Sequence, residues 1–183
     1  MTMQELHSNT VALCSRLIQA KSYSGEEREV VEVIKEEMNR LGYDEVTVDA
    51  YGNVIGCIRG KRPGPRILLD GHIDTVPVQE PERWSYDPFG GEVREDRVCG
   101  RGTSDMKGAV AAMICAAAAY ADNCNRDFAG ALYVAGVVYE ELYEGVSARK
   151  ISEVVQPDYV IIGEASNLNL KIGQRGRAEI VLE

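Results

Sequence analysis

The sequence predicts an α/β fold: a three-layer α/β/α sandwich around a mostly parallel mixed sheet. Three observations predict it. The segments "ILLDG" (67–71), "ALYVAGVVY" (131–139) and "DYVIIG" (158–163) are short apolar runs, as expected of strands covered on both faces. Helical patterns alternate with these strands, which argues for crossover connections and a parallel sheet. With 183 residues, 45% of them hydrophobic, the chain suits one ordinary globular domain or part of a larger one.

Residues 4–20 carry spaced apolar positions (Leu6, Val11, Leu13, Leu17, Ile18) and read as a helix. In the following "SYSGEE", Ser24 is read as the cap of a second helix, with Glu26 and Glu27 in its acidic first turn. Val30, Val31, Val33, Ile34 and Met38 give that helix an apolar face, and it stops near Leu41-Gly42. "EVTVDAYGNVIGCIRG" reads as two strands around a turn at Tyr51-Gly52-Asn53. "KRPGPR" reads as a loop, "ILLDG" as a third strand, and residues 79–100 as a surface excursion with one hairpin over 91–99. Met106 to Ala121 is rich in alanine, the best helix former, and predicts a closely packed helix. "ALYVAGVVY" follows as a buried strand. Val146 to Val155 reads as a helix with Pro157 beyond its end, and "DYVIIG" as another buried strand. "LKIGQRGRAEIVLE" is expected to begin a further strand pair.

Composition excludes several functions. Net charge is −9 and no run of Lys or Arg appears, which speaks against a nucleic-acid partner. The longest apolar run, Ala109 to Ala121, is too short for a bilayer, which needs about 20 residues, so no membrane partner is expected. The five scattered cysteines contain no C-x-x-C, which argues against a disulfide framework or zinc finger and for a reducing cytoplasm. Met1 to Ser15 lacks the basic start and apolar core of a signal peptide.

In open α/β sheets, ligands bind beyond the carboxyl ends of the strands. Here "ILLDG" ends at His72 and Asp74, "ALYVAGVVY" at Glu140-Glu141 and "DYVIIG" at Glu164, while "GRGTSD" delivers Asp105 to the Ala-rich helix. Carboxylates crowded at one edge resist ionisation unless cations hold them. One histidine with carboxylates, and no cysteine, suits zinc or another first-row divalent ion. His72 and Asp74, at i and i+2, point the same way in extended backbone, so Asp74 could accept a hydrogen bond from the far ring nitrogen of His72. Glu140 and Glu141 point apart, so one could bind metal while the other faces substrate and water. Taken singly, each residue has a plainer reading: Asp105 as a helix cap, Glu140-Glu141 as a solvated strand end, His72 as a structural histidine. "GRGTSDMKG" lacks both the third glycine of G-x-G-x-x-G and the Gly-Lys-Ser/Thr of a P-loop, which disfavours a nucleotide site.

Together "LLDGHIDTVPV", "GRGTSDMKGAVAAM", "VVYEELYEGVSA" and "VIIGEASN" resemble the zinc-dependent exopeptidase and amidohydrolase family. Its members include acetylornithine deacetylase, succinyl-diaminopimelate desuccinylase, aminoacylase and glutamate carboxypeptidase. The resemblance implies a zinc-exopeptidase-like fold and two divalent ions, zinc first, with cobalt or manganese as alternatives. It implies that His72 and Glu164 ligate one ion, that Asp105 bridges both and that Glu141 ligates the second. Glu140 becomes the general base, Asp74 orients His72, and the Asp105-Met106 peptide is cis. The implied reaction is hydrolysis of a small N-acyl amino acid or of a terminal peptide bond.

The sequence departs from the family in one respect. Members supply a further histidine to the second metal from much later in the chain, and they carry an inserted dimerisation domain. Here the only histidines are His7 and His72, and His7 matches no family motif. Residues 1–172 are therefore expected to be the N-terminal part of a catalytic domain, and 173–183 the start of the strand leading into an absent lid domain. The complete enzyme is expected to be a homodimer, and this chain a truncated product, a fragment or one part of a split protein, poorly active or inactive alone. The competing expectation is a non-catalytic fragment or interaction module that keeps the fold.

Overall fold

The structure, a computed structural model, describes residues 1–173. In chain order it contains α1 (Met3–Gln19), α2 (Arg28–Arg40), β1 (Glu45–Val48), β2 (Val54–Arg59), β3 (Arg62–His72), β4 (Glu92–Arg94), β5 (Arg97–Cys99), α3 (Gly108–Asn123), β6 (Ala129–Val137), α4 (Val146–Val155) and β7 (Tyr159–Ile162). A capping box starts α1: Thr2 Oγ1 accepts from the Glu5 N–H, and Glu5 accepts from the Thr2 N–H. Leu41 ends α2, and Gly42 beyond it adopts a left-handed conformation.

The main sheet has the order β1-β2-β6-β3-β7. β1 and β2 form an antiparallel pair, β2 runs antiparallel to β6, and β3 runs parallel to both β6 and β7. β4 and β5 form the separate hairpin expected in the surface excursion. Side chains alternate between two cores. Val54, Ile58, Val134 and Val138 face a large core built with α1, α2 and α3, whereas Ile55, Leu68, Ala135 and Val137 face a smaller one with Ile151 and Val155 of α4. Helices thus cover both faces, and the central strands read as continuous apolar runs for that reason. The alanines of α3 let it pack closely against α1.

Four expectations change. "KRPGPR" is not a loop, because β3 begins at Arg62. Its register against β6 shifts between Arg62↔Ala129 and Arg66↔Ala131, leaving Pro63 and Pro65, which have no N–H to donate, in an irregular stretch. The second helix starts at Arg28 with no side-chain cap, so Ser24 does not cap it. The Ala-rich helix starts at Gly108, because Asp105 and Met106 have non-helical backbone angles. Asp105 is therefore no helix cap. β7 is not buried: Tyr159 to Ile162 are all exposed, and β3 is the neighbour of this strand in the sheet. The described start of "LKIGQRGRAEIVLE" has no strand, and the rest lies outside the described residues.

All five cysteines are free, and among the described residues no helix is long and apolar enough to cross a membrane.

The packing predicts a contrast in stability. Ile114→Ala, in the large core, should cost about 2–5 kcal/mol in denaturant unfolding. Ile161→Ala, at a residue 55% exposed on β7, should change stability by no more than about 0.5 kcal/mol.

Candidate metal centre

The parallel arrangement of β3, β6 and β7 brings their carboxyl ends to one edge of the sheet. His72 is the last residue of β3 and is 2% exposed. Its Nδ1 lies 3.0 Å from the main-chain carbonyl of Asp74 and 3.5 Å from that residue's Oδ1. Its Nε2 lies 2.9 Å from Asp105 Oδ1 and 3.6 Å from Glu164 Oε1. The Nδ1 proton is therefore assigned to the Asp74 carbonyl, which leaves Nε2 facing the carboxylates.

Asp105 reaches this point from a five-residue turn, Thr103–Lys107, entered through Gly102 in the left-handed region. A Cβ on Gly102 would stand 2.6 Å from Thr75 Cγ2, so glycine serves both the turn and the close approach. The Asp105-Met106 peptide is cis. Met106 is fully buried beneath Gly71, where any Cβ would come within 2.6 Å of its terminal methyl. Lys107 is also buried, and its Nζ donates to the carbonyls of Leu17 and Ala20 at 2.8 and 2.9 Å. The turn is thereby tied to carbonyls at the end of α1 that lack helical partners. Burial pushes the Lys107 ammonium down to about 8.

Asp74 has no exposed surface. Its Oδ1 accepts from the Glu140 N–H at 3.1 Å, and its Oδ2 accepts from the Glu141 N–H at 3.1 Å and from the Ser24 hydroxyl at 2.6 Å. The carboxylate holds the end of β6 more directly than it holds the His72 ring, whose nearer partner is the Asp74 carbonyl. Glu141 comes into the cluster: ligand atoms of His72, Asp105 and Glu141 all lie within 4.8 Å of one another. A cavity of about 300 Å³ opens beside it, lined by Asp70, His72, Glu140, Glu144, Met106 and Glu164 among others.

Charge dominates the chemistry. Burial works against an imidazolium at His72, but the carboxylates of Asp74, Asp105 and Glu164 outweigh it and raise its pKa to about 10. Burial opposes ionisation of Asp74, yet hydrogen bonds from His72, Ser24 and the Glu141 and Glu140 amides hold its pKa below the usual range. Burial raises both Glu140 and Glu141. His72 opposes the rise in each, while Glu164 reinforces it for Glu140 and Asp105 for Glu141. Burial, with help from Glu164, lifts Asp70 to about 6, and its Oδ1 is buried without a hydrogen-bond partner.

One imidazole nitrogen among carboxylate oxygens is a donor set for a zinc-like ion, whose bonds of about 2.0–2.2 Å place neighbouring ligand atoms roughly 3 to 4 Å apart. The Nε2 separations of 2.9 Å from Asp105 and 3.6 Å from Glu164 are of that order, and the surplus of negative charge favours a cation. The residues fit such an ion.

Residues 68–177 match the peptidase family M20/M25/M40. The chain belongs to this family. Uncharacterized protein YgeY of Escherichia coli K12 is 37% identical over 174 residues, which cover 91% of this chain and 41% of YgeY. Succinyl-diaminopimelate desuccinylase 2 of Ruegeria is 29% identical over 184 residues, covering 94% of this chain and 46% of the relative. The chain thus spans less than half the length of these relatives. Among solved structures, the Bacillus subtilis YXEP protein, a dinuclear metal-binding peptidase of the M20 family, superimposes with a TM-score of 0.62 at 22% identity, over 83% of this chain and 40% of that one.

In this M20/M25/M40 chain, the structure gathers His72, Asp105 and Glu141 most tightly, sets Glu164 beside the His72 ring, and lines the adjoining cavity with Glu140. His7 is exposed on α1 and is not among the clustered residues. Sequence reasoning missed Asp70 and Lys107, and it misassigned Ser24 and Glu27. Asp70 and Lys107 carried a usable signal, each being a charged residue inside one of the motifs, Asp70 at the end of an apolar run and Lys107 at the start of one.

A pH dependence follows from His72. Its folded pKa lies above the unfolded value of about 6.5, so the stability it contributes is complete below about pH 6.5 and is lost as pH rises through about 10. The metal-free chain should therefore lose melting temperature over that window, and His72→Asn should flatten the decline. At pH 7 metal uptake should release protons, read as a buffer-dependent calorimetric enthalpy.

Proposed function

We propose that the protein is a metal-dependent hydrolase that cleaves an amide bond, in an N-acyl amino acid or at a peptide terminus. The observation that carries this reading is the approach of His72, Asp105 and Glu141 ligand atoms to within 4.8 Å of one another beside a cavity that Glu140 lines. His72 and Glu164 would hold one ion, Asp105 would be shared, and Glu141 would hold a second. Zinc is the first choice and cobalt or manganese the alternatives. The dinuclear Bacillus subtilis neighbour favours two ions, and the desuccinylase relative favours an acyl amide.

When bound, the ions supply an acidified water and polarisation of the scissile carbonyl. Glu140 is the general base: it takes the proton of the attacking water and hands it to the leaving nitrogen. Asp74 keeps His72 in the tautomer that presents Nε2, through its own carbonyl, and fixes both glutamates through their amides. On this reading residues 1–172 form the N-terminal part of a catalytic domain, and the complete enzyme is a cytoplasmic homodimer.

The test is metal analysis together with hydrolysis, by the complete enzyme, of a panel of N-acyl amino acids and dipeptides in Zn²⁺, Co²⁺ or Mn²⁺. Glu140→Gln should keep its metal and lose about 10²–10⁴-fold in turnover. Glu141→Gln should also bind metal more weakly. Metal bound with no hydrolysis across the panel would favour a non-catalytic binding protein, and near-normal turnover by Glu140→Gln would remove Glu140 from the role of base.

A further inference from the structure

Three consecutive amides follow β6, those of Tyr139, Glu140 and Glu141, and all three donate to buried carboxylates. Glu140 and Glu141 use Asp74. Tyr139 N–H donates to Glu27 Oε1 at 3.0 Å, and the other oxygen of Glu27 accepts from Gly25 N–H at 2.9 Å. Glu27 is only 5% exposed. Tyr139 has φ +61°, a left-handed conformation rare for a bulky residue, and Gly25 lies against its ring. Successive N–H groups around a left-handed residue form a concave donor surface that suits an anion, and here the chain supplies the anions itself.

Glu27, and the Ser24 that donates to Asp74, belong to one strap. Residues 22–27 leave α1 and run beside the extension of β3. Thr75 N–H donates to the Ser22 carbonyl at 2.8 Å, the Ser22 hydroxyl donates to the Ile73 carbonyl at 2.6 Å, and Tyr23 and Thr75 form a parallel bridge. From that position Ser24 reaches Asp74 and Glu27 reaches Tyr139. Neither residue belongs to the metal cluster, yet the backbone that carries Glu140 and Glu141 is held by Glu27 directly and by Ser24 through Asp74.

We propose that Glu27 and Ser24 are positioning residues for the Glu140-Glu141 pair, fixing the turn at Tyr139 so that Glu141 meets the metal cluster and Glu140 faces the cavity. The inference rests on the metal reading given above. Its mechanism is geometric: loss of the Glu27 acceptor frees the Tyr139 amide, the left-handed turn relaxes, and Glu141 leaves its place beside His72 and Asp105. Removing an outer partner of a metal ligand typically costs about 10–100-fold in affinity.

The test titrates Co²⁺ alone into the purified chain, followed by calorimetry and visible absorption, with amide exchange at Tyr139, Glu140 and Glu141 measured by NMR. Glu27→Ala should bind Co²⁺ about tenfold or more weakly and speed exchange of the Tyr139 amide. Glu27→Gln keeps one acceptor oxygen and should recover part of both effects, which a merely structural role would not produce. Ser24→Ala should weaken Co²⁺ and speed exchange at Glu141. Glu37→Gln removes another buried carboxylate, paired with Arg16 of α1 and Arg40 of α2, and should leave Co²⁺ affinity unchanged. Wild-type affinity in Glu27→Ala overturns the inference while leaving the metal reading intact, and so does an equal loss in Glu27→Ala and Glu37→Gln. If Glu27→Ala does not fold, wild-type affinity in both Glu27→Gln and Ser24→Ala overturns it. A wild-type chain that takes up no Co²⁺ overturns the inference and the metal reading together.

Discussion

A carboxylate with no exposed surface must find donors within the protein, and Asp74 is that carboxylate. An unpartnered buried charge would cost several kcal/mol, enough to consume much of a small domain's stability. Asp74 meets the demand with the Ser24 hydroxyl and the amides of Glu140 and Glu141, while His72 supplies positive charge 3.5 Å away. These donors come from the strap after α1, the end of β6 and the end of β3. Satisfying one buried group therefore fixes three chain segments relative to one another. The positions of His72, Glu140 and Glu141 follow from that constraint.

The rest of the fold lets the cluster exist. Asp70, Asp105, Glu140, Glu141 and Glu164 surround one imidazole; burial resists charge on Asp70, Glu140 and Glu141, and His72 offsets part of that resistance. Stability comes from elsewhere, above all from the large core between the sheet and α1, α2 and α3. The same core delivers precision. Met106 sits beneath Gly71, and Lys107 grips the end of α1, so the turn that carries Asp105 is clamped between apolar packing and two carbonyl hydrogen bonds. Stability and geometry thus share residues on one side of the sheet, leaving the strand ends free for charge.

What was legible in the sequence divides along physical lines. The strand ends at His72, Glu140 and Glu164 were legible because apolar runs that stop at charged residues mark both the strand and its exit. The parallel neighbours β3, β6 and β7 then bring those exits together. The cis peptide at Asp105-Met106 came from the resemblance alone. Ser24 and Glu27 were misassigned because a serine followed by acids before an apolar stretch is also the pattern of a capped helix start. Both arrangements use a hydroxyl and a carboxylate to satisfy stray amides, and the sequence does not say whose amides. The strand over 62–66 was hidden by Pro63 and Pro65, which signal a loop unless a bulge absorbs them. The exposure of β7 was not legible either, since apolar composition reads as burial whatever lies beside the strand.

The geometry around His72 also bears on how a cluster so rich in acid would take an ion. In the metal-free chain both ring nitrogens face acceptors, the Asp74 carbonyl on one side and Asp105 with Glu164 on the other. Those carboxylates hold a proton on Nε2, which is why the imidazolium persists to about pH 10. The proton therefore occupies the place among the same oxygens that a cation would take. Neither the Nδ1 hydrogen bond to Asp74 nor the amide contacts that hold Glu140 and Glu141 involves Nε2, so on the metal reading above an exchange of proton for ion would act at Nε2 and the carboxylates around it.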